Sequence, residues 1–111
     1  MSAADTAARI RELNDAFRQS FSGGKVVLTA GVDALIADAK AQVLSKVRTF
    51  ADFNGDNDPH GEHDFGTFEL GGEKYFFKLD YYVPDLEGGS DDPGDPQKTT
   101  RVLTIMRADE Y

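Results

Sequence analysis

Apolar residues recur at helical spacing in two stretches of the chain and alternate with polar ones in three others. Ile10, Leu13, Phe17 and Phe21 form one stripe, with Arg9, Arg11, Glu12, Asp15 and Arg18 on the other side. This pattern predicts an amphipathic helix over residues 5–21. Asp5 or Ser2 can cap its start, Gly23-Gly24 stops it, and Arg11 and Asp15 stand one turn apart as an expected ion pair. Lys25–Thr29 is a short β-branched run and reads as a strand. Val32, Ile36, Ala39, Val43, Val47 and Phe50, widened by Leu35 and Leu44, predict a second helix over 32–50 that packs on a sheet.

Beyond residue 64 the period changes to two. Phe65–Leu70 reads as a strand, Gly71-Gly72 as a two-residue hairpin turn, and Glu73–Val83 as the partner strand. Tyr75, Phe77, Leu79, Tyr81 and Val83 then share the core face, while Lys74, Phe76, Lys78, Asp80 and Tyr82 share the other. Thr99–Arg107 alternates Val102, Thr104 and Met106 against Leu103 and Ile105, and is expected to run antiparallel to the preceding strand. The order α-β-α-β-β-β implies a single α+β domain over 1–111, with two helices on one face of a mostly antiparallel sheet of about four strands.

Two segments carry no such period. NGDNDPHGEHD at 54–64 and PDLEGGSDDPGDPQK at 84–98 are built from turn formers and carboxylates. They dominate the charge balance. The chain has a net charge of −8, yet residues 51–96 hold two Lys against thirteen Asp and Glu, a local −11. The remainder is close to neutral.

That distribution argues against direct nucleic-acid binding, which needs a basic stripe, and against docking on an anionic membrane. No long apolar run suggests a membrane span or a secretory leader, so the cytoplasm is the expected location. Without cysteine there is no disulfide, thiolate nucleophile or Cys-ligated zinc. Ser20, Ser22, Ser45 and Ser90 lie in no nucleophile-elbow context, and the glycine pairs match no phosphate-binding loop.

The residues able to carry chemistry are gathered at 56–64. Both histidines of the chain, His60 and His63, lie there among Asp56, Asp58, Glu62 and Asp64. His60, Glu62, His63 and Asp64 are candidate acid–base residues, and Asp58, His60, His63 and Asp64 are candidate ligands for a divalent metal. The pattern fits neither standard motif. The two histidines are three apart rather than four, with Pro59 and Gly61 opposing a helix. Aligned as a calcium loop from Asp56, the segment places Thr67 where the bidentate Glu belongs. The plainer reading is a rigid turn, in which Asx side chains bond the local backbone. No cofactor is otherwise implied.

Four blocks also resemble a domain-of-unknown-function family of small bacterial, often plasmid-borne proteins. They are VVLTAGV at 26–32, FADFNGDNDPHGEHDFGTFEL at 50–70, KLDYYVPDL at 78–86 and RVLTIMRADEY at 101–111. The resemblance implies no activity. It does imply a mobile-element setting, where small acidic proteins often antagonise host defence.

Together these features point to a non-enzymatic interaction protein whose acidic region meets a basic protein surface. A DNA-mimic inhibitor of restriction or CRISPR machinery is the sharpest form of that expectation. Asp56, Asp58, Tyr82, Asp85, Glu87, Asp91, Asp92 and Asp95 are the candidate partner contacts. The alternatives are a metal-dependent hydrolase or nuclease using the 58–64 loop, and a homo-oligomer built through the Phe76 and Tyr82 face.

Overall fold

The computed structural model describes residues 2–111. The elements are α1 (Ala3–Ser20), β1 (Gly24–Leu28), α2 (Ala30–Asp33), α3 (Ala37–Thr49), β2 (Phe65–Leu70), β3 (Glu73–Tyr82), β4 (Thr100–Arg107) and a closing 3₁₀ turn, Ala108–Glu110. The strands form one sheet in the order β1-β4-β3-β2. β1 runs parallel to β4, and the other two pairings are antiparallel. The helices cover one face, giving the α+β architecture that the two periodicities predict.

Local chemistry sets the element ends. Ser2 Oγ accepts from the Asp5 amide at 3.1 Å and the Asp5 carboxylate accepts from the Ser2 amide at 3.4 Å, a reciprocal cap on α1. Phe21 closes that helix in the left-handed region at φ 57°. Between β2 and β3, Gly71 and Gly72 both have positive φ (60° and 81°), as a twist-matched two-residue turn requires.

The predicted helix over 32–50 is interrupted. α2 ends at Asp33, and Ile36 is extended (φ −62°, ψ 156°) at the head of α3, leaving its side chain 77% exposed instead of in the core. The start of α2 is fixed from the far end of the chain. Glu110 Oε2 accepts from the Gly31 amide at 2.8 Å, and Oε1 accepts from the Thr29 hydroxyl at 2.7 Å and the Arg107 amide at 3.0 Å. These bonds hold α2 against the end of β4 and satisfy a first-turn amide that would otherwise be unpaired. They also hold the Glu110 carboxyl below its usual range, the Thr29 bond being the largest cause. A Cβ on Gly31 would stand 2.6 Å from Glu110 Oε1, so only glycine permits this approach. α3 restarts at its own angle and buries Val43 and Val47.

The core gathers Phe17, Val32, Val43, Val47, Tyr75, Phe77, Leu79, Leu103 and Ile105. The alternation expected for β3 and β4 holds for these strand residues. Arg18 departs from expectation, since its place on the polar side of α1 predicts solvation and it is 1% exposed. Its Nη1 donates to the Val47 and Phe50 carbonyls, each at 2.9 Å, and its Nη2 to Asp15 at 3.0 Å. A cation therefore satisfies the carbonyls at the end of α3 and ties that helix to α1.

Candidate functional site

The 54–64 segment folds first on itself. Asn54 Oδ1 accepts from the Asp56 and Asn57 amides at 2.9 and 3.1 Å, and Asn57 Oδ1 accepts from the Asn54 amide at 2.8 Å. Gly61 (φ 68°) and His63 (φ 55°) then turn the chain through the left-handed region. That conformation costs a non-glycine residue about 1 kcal/mol, so His63 must be held there by its surroundings. Its amide donates to Asp58 Oδ1 at 3.1 Å, and its ring stacks on Phe53 with centroids 3.8 Å apart.

α1 supplies the remaining contacts. Arg11 Nη1 donates to the Gly61 carbonyl at 2.8 Å, so Arg11 does not form the expected pair with Asp15. Asp15 instead meets His63 Nδ1 at 2.9 Å while also accepting from Arg18. Asn14, fully buried, donates to the Glu62 carbonyl and to the Tyr81 hydroxyl, both at 2.9 Å. The Tyr81 hydroxyl in turn donates to Glu62 Oε1 at 2.7 Å. Arg101, 4% exposed, donates from Nε to Asn14 Oδ1 at 2.8 Å and from Nη2 to the Pro93 carbonyl, and its guanidinium lies over the Tyr81 ring. A continuous chain of bonds thus runs from Arg101 through Asn14 and Tyr81 to Glu62.

The electrostatics suit a structural network. Burial, then the Glu62 bond, pushes the Tyr81 hydroxyl far above its ordinary pKa, so it remains a protonated donor. Burial also lowers the Arg101 guanidinium from its very high ordinary value. Asp64, half-buried, is raised by burial first and by the neighbouring Glu62 carboxylate second. A carboxyl kept partly desolvated beside other carboxylates costs stability when ionised rather than adding it.

The sequence candidates therefore separate. His60 is exposed, Glu62 is engaged by Tyr81, and Asp64 contributes its carbonyl to the Leu79 amide at 2.8 Å. His63 lies between two carboxylates, with Asp15 at Nδ1 and Asp58 at Nε2 (3.6 Å), so the ring separates the two acids. Among the described residues, no three His, Cys, Asp or Glu side chains form a group able to hold a metal ion. Asp58 is also a correction to the expected partner surface, being 9% exposed because it anchors the His63 turn. Asn14, Arg11, Arg18 and Arg101 were not among the sequence candidates. Asn14 had a visible signal: it shares the helical face of Ile10 and Phe17. Arg101 likewise falls in step with Leu103 and Ile105 on the core face of β4.

The second acidic segment is arranged differently. Beyond β3 the chain turns back, with the Val83 amide donating to Gly88 O at 2.8 Å and the Ser90 amide to Tyr81 O at 3.0 Å. Ser90 Oγ accepts from the Asp92 amide at 3.1 Å, and Thr99 Oγ1 donates to the Asp92 carbonyl at 2.8 Å. Asp85 and Asp95 each accept a backbone amide two residues on. Asp85, Glu87, Asp91 and Asp92 are exposed and Asp95 is half-buried. Among the described residues, none of these five carboxylates is in a salt bridge. Asp56 is likewise exposed, and Tyr82 is half-buried at the end of β3. A shallow groove of about 470 Å³ separates Val83-Pro84 from Asp91, Asp92 and Lys98.

Residues 28–110 match a family described as "Protein of unknown function (DUF3768)", and the chain belongs to that family. The match runs from the end of β1 through the closing turn, so it includes both acidic segments. No curated protein and no solved structure matches the chain. No helix among the described residues is long and apolar enough to cross a membrane.

Proposed function

We propose that this chain is a non-enzymatic binding protein that presents the carboxylates of residues 85–95 to a basic surface on a partner protein. The observation that carries the proposal is the contrast just described. The Asp58, Glu62 and His63 side chains are consumed by the fold, whereas Asp85, Glu87, Asp91 and Asp92 stand exposed and without ion pairs on a loop pinned by its backbone. Fixing the loop lowers the ordering cost on binding, and concentrated negative charge steers a basic partner and speeds encounter. In its sharpest form, the partner surface is a groove that otherwise takes a nucleic-acid backbone, and the protein acts for a mobile element as an inhibitor of host defence. The −11 segment and the resemblance to plasmid-borne proteins support that form.

The test is capture of partners from host lysate on the immobilised protein at about 50 mM salt, followed by elution with rising salt. A small set of basic proteins is expected to be retained, released by about 300 mM salt, and lost from the Asp91→Ser, Asp92→Ser, Asp95→Ser triple variant. Equal retention by the triple variant would overturn the proposal. The metal-dependent alternative makes a different prediction: Zn²⁺, Mn²⁺ or Mg²⁺ would raise the melting temperature by mass action.

A further inference from the structure

Among the described residues, one face of the sheet has no α-helix on it and is met only at one end by the closing segment. By register, that face carries Lys25 and Val27 of β1, Val102, Thr104 and Met106 of β4, Lys74 to Tyr82 at alternate positions of β3, and Phe65, Thr67 and Glu69 of β2. A solvated outer face normally alternates to polar residues. Here Phe65 and Phe76 pack at 5.4 Å, Phe76 meets the terminal Tyr111 ring at 5.6 Å, and Met106 beside them is only 3% exposed. Val27 and Tyr111, at its rim, are 44% and 78% exposed. An apolar patch framed by charges in this way marks an interaction surface.

Its charge identifies the occupant. Lys25, Lys74 and Lys78 stand against Glu69 and Asp80, so the face is close to neutral on a chain of net charge −8. A basic partner finds stronger attraction at the loops. A second copy of this chain would be repelled at the acidic loops, but not here. Lys78 and Asp80 sit two positions apart on the central strand β3, with Nζ and Oδ2 2.9 Å apart. Two-fold packing of this face on itself sets Lys78 of each copy opposite Asp80 of the other, so four charges alternate in sign around the axis. We propose that the open sheet face forms a reversible homodimer. Four strands of 5, 6, 10 and 8 residues at about 4.8 Å spacing and about 3.4 Å rise give a footprint of roughly 470 Å² per copy. This is the size of a weak, concentration-dependent interface rather than an obligate one.

Sedimentation velocity of the full chain from about 1 to 500 µM tests the proposal. The expected result is a monomer–dimer equilibrium across that range. Lys78→Asp and Asp80→Lys should each stay monomeric, because each makes the paired positions alike in sign, while an equimolar mixture of the two should dimerise. Val27→Glu, at an exposed edge position, should weaken the dimer with an unchanged circular-dichroism melt. A wild type that stays monomeric throughout would overturn the proposal. Dimers that survive both charge variants, or a mixture that does not associate, would overturn it equally.

Discussion

The 54–64 and 84–98 segments are alike in composition and opposite in how the rest of the fold engages their side chains. Both are rich in Asp, Gly and Pro, and both avoid regular secondary structure. The first meets a polar row on α1: Arg11, Asn14 and Asp15 each receive one of its groups. The second meets mainly its own backbone and Ser90, Thr99 and Arg101, which fix the path of the loop while leaving its carboxylates to water. The difference teaches that acidic content does not identify a binding surface. What decides is whether a neighbouring element presents complementary polar groups at the right height.

The comparison can be broken most sharply at Asn14. Asn14→Ala should cost about 2–4 kcal/mol in urea denaturation, because it strands the Arg101 Nε donor, the Glu62 carbonyl and part of the Tyr81 bonding together. A loss below about 1 kcal/mol would mean that water replaces these bonds, and the first segment would then not be tied into the core. Asp58→Ala removes the acceptor of the His63 amide and should cost about 1–2 kcal/mol by the same measurement.

A smaller effect sharpens the electrostatic side. The folded Asp64 carboxyl holds its proton to higher pH than the unfolded one, whose ordinary pKa is 3.8. As pH rises above 3.8 the unfolded chain ionises first, so stability falls until the folded carboxyl has also ionised. Asp64→Asn should therefore be more stable than wild type at pH 7, with the advantage disappearing below that ordinary pKa. A variant less stable than wild type at pH 7 would show that the carboxylate does stabilising work. Smallest of all, the Ser triple at 91, 92 and 95 should leave stability within about 0.5 kcal/mol, since Asp91 and Asp92 are exposed and a serine hydroxyl in place of Asp95 can still accept from the Gln97 amide.

Much of the fold could be read from the two periodicities. Buried strand residues such as Phe77 and Ile105 alternate cleanly, and the Gly71-Gly72 turn follows from the need for positive φ. The break at residues 34–36 leaves no mark in the apolar stripe, and the bond that fixes the start of α2, Glu110 on the Gly31 amide, is a contact across 79 residues. The candidate site was legible as a place but not as a set of roles. His60 and His63 look equivalent in the sequence, yet one is exposed and the other stacks on Phe53 between two carboxylates. Phe53, Asp58 and Asp15 of α1 together separate them. Arg18 and Arg101 were obscured for a related reason: a charged residue at a core position reads as solvated until its carbonyl and amide partners are brought to it.

The first acidic segment holds the fold, whereas the carboxylates of the second are the ones proposed to meet a partner. Parallel urea denaturation of Asp58→Ala/Glu62→Ala and of Asp91→Ser/Asp92→Ser/Asp95→Ser distinguishes the two segments. The first variant, which removes the acceptors of the His63 amide and the Tyr81 hydroxyl, should lose about 1–3 kcal/mol at constant slope, and the second should unfold at the wild-type midpoint within error. Equal losses in the two, or a larger loss from the 91–95 variant, would contradict the account.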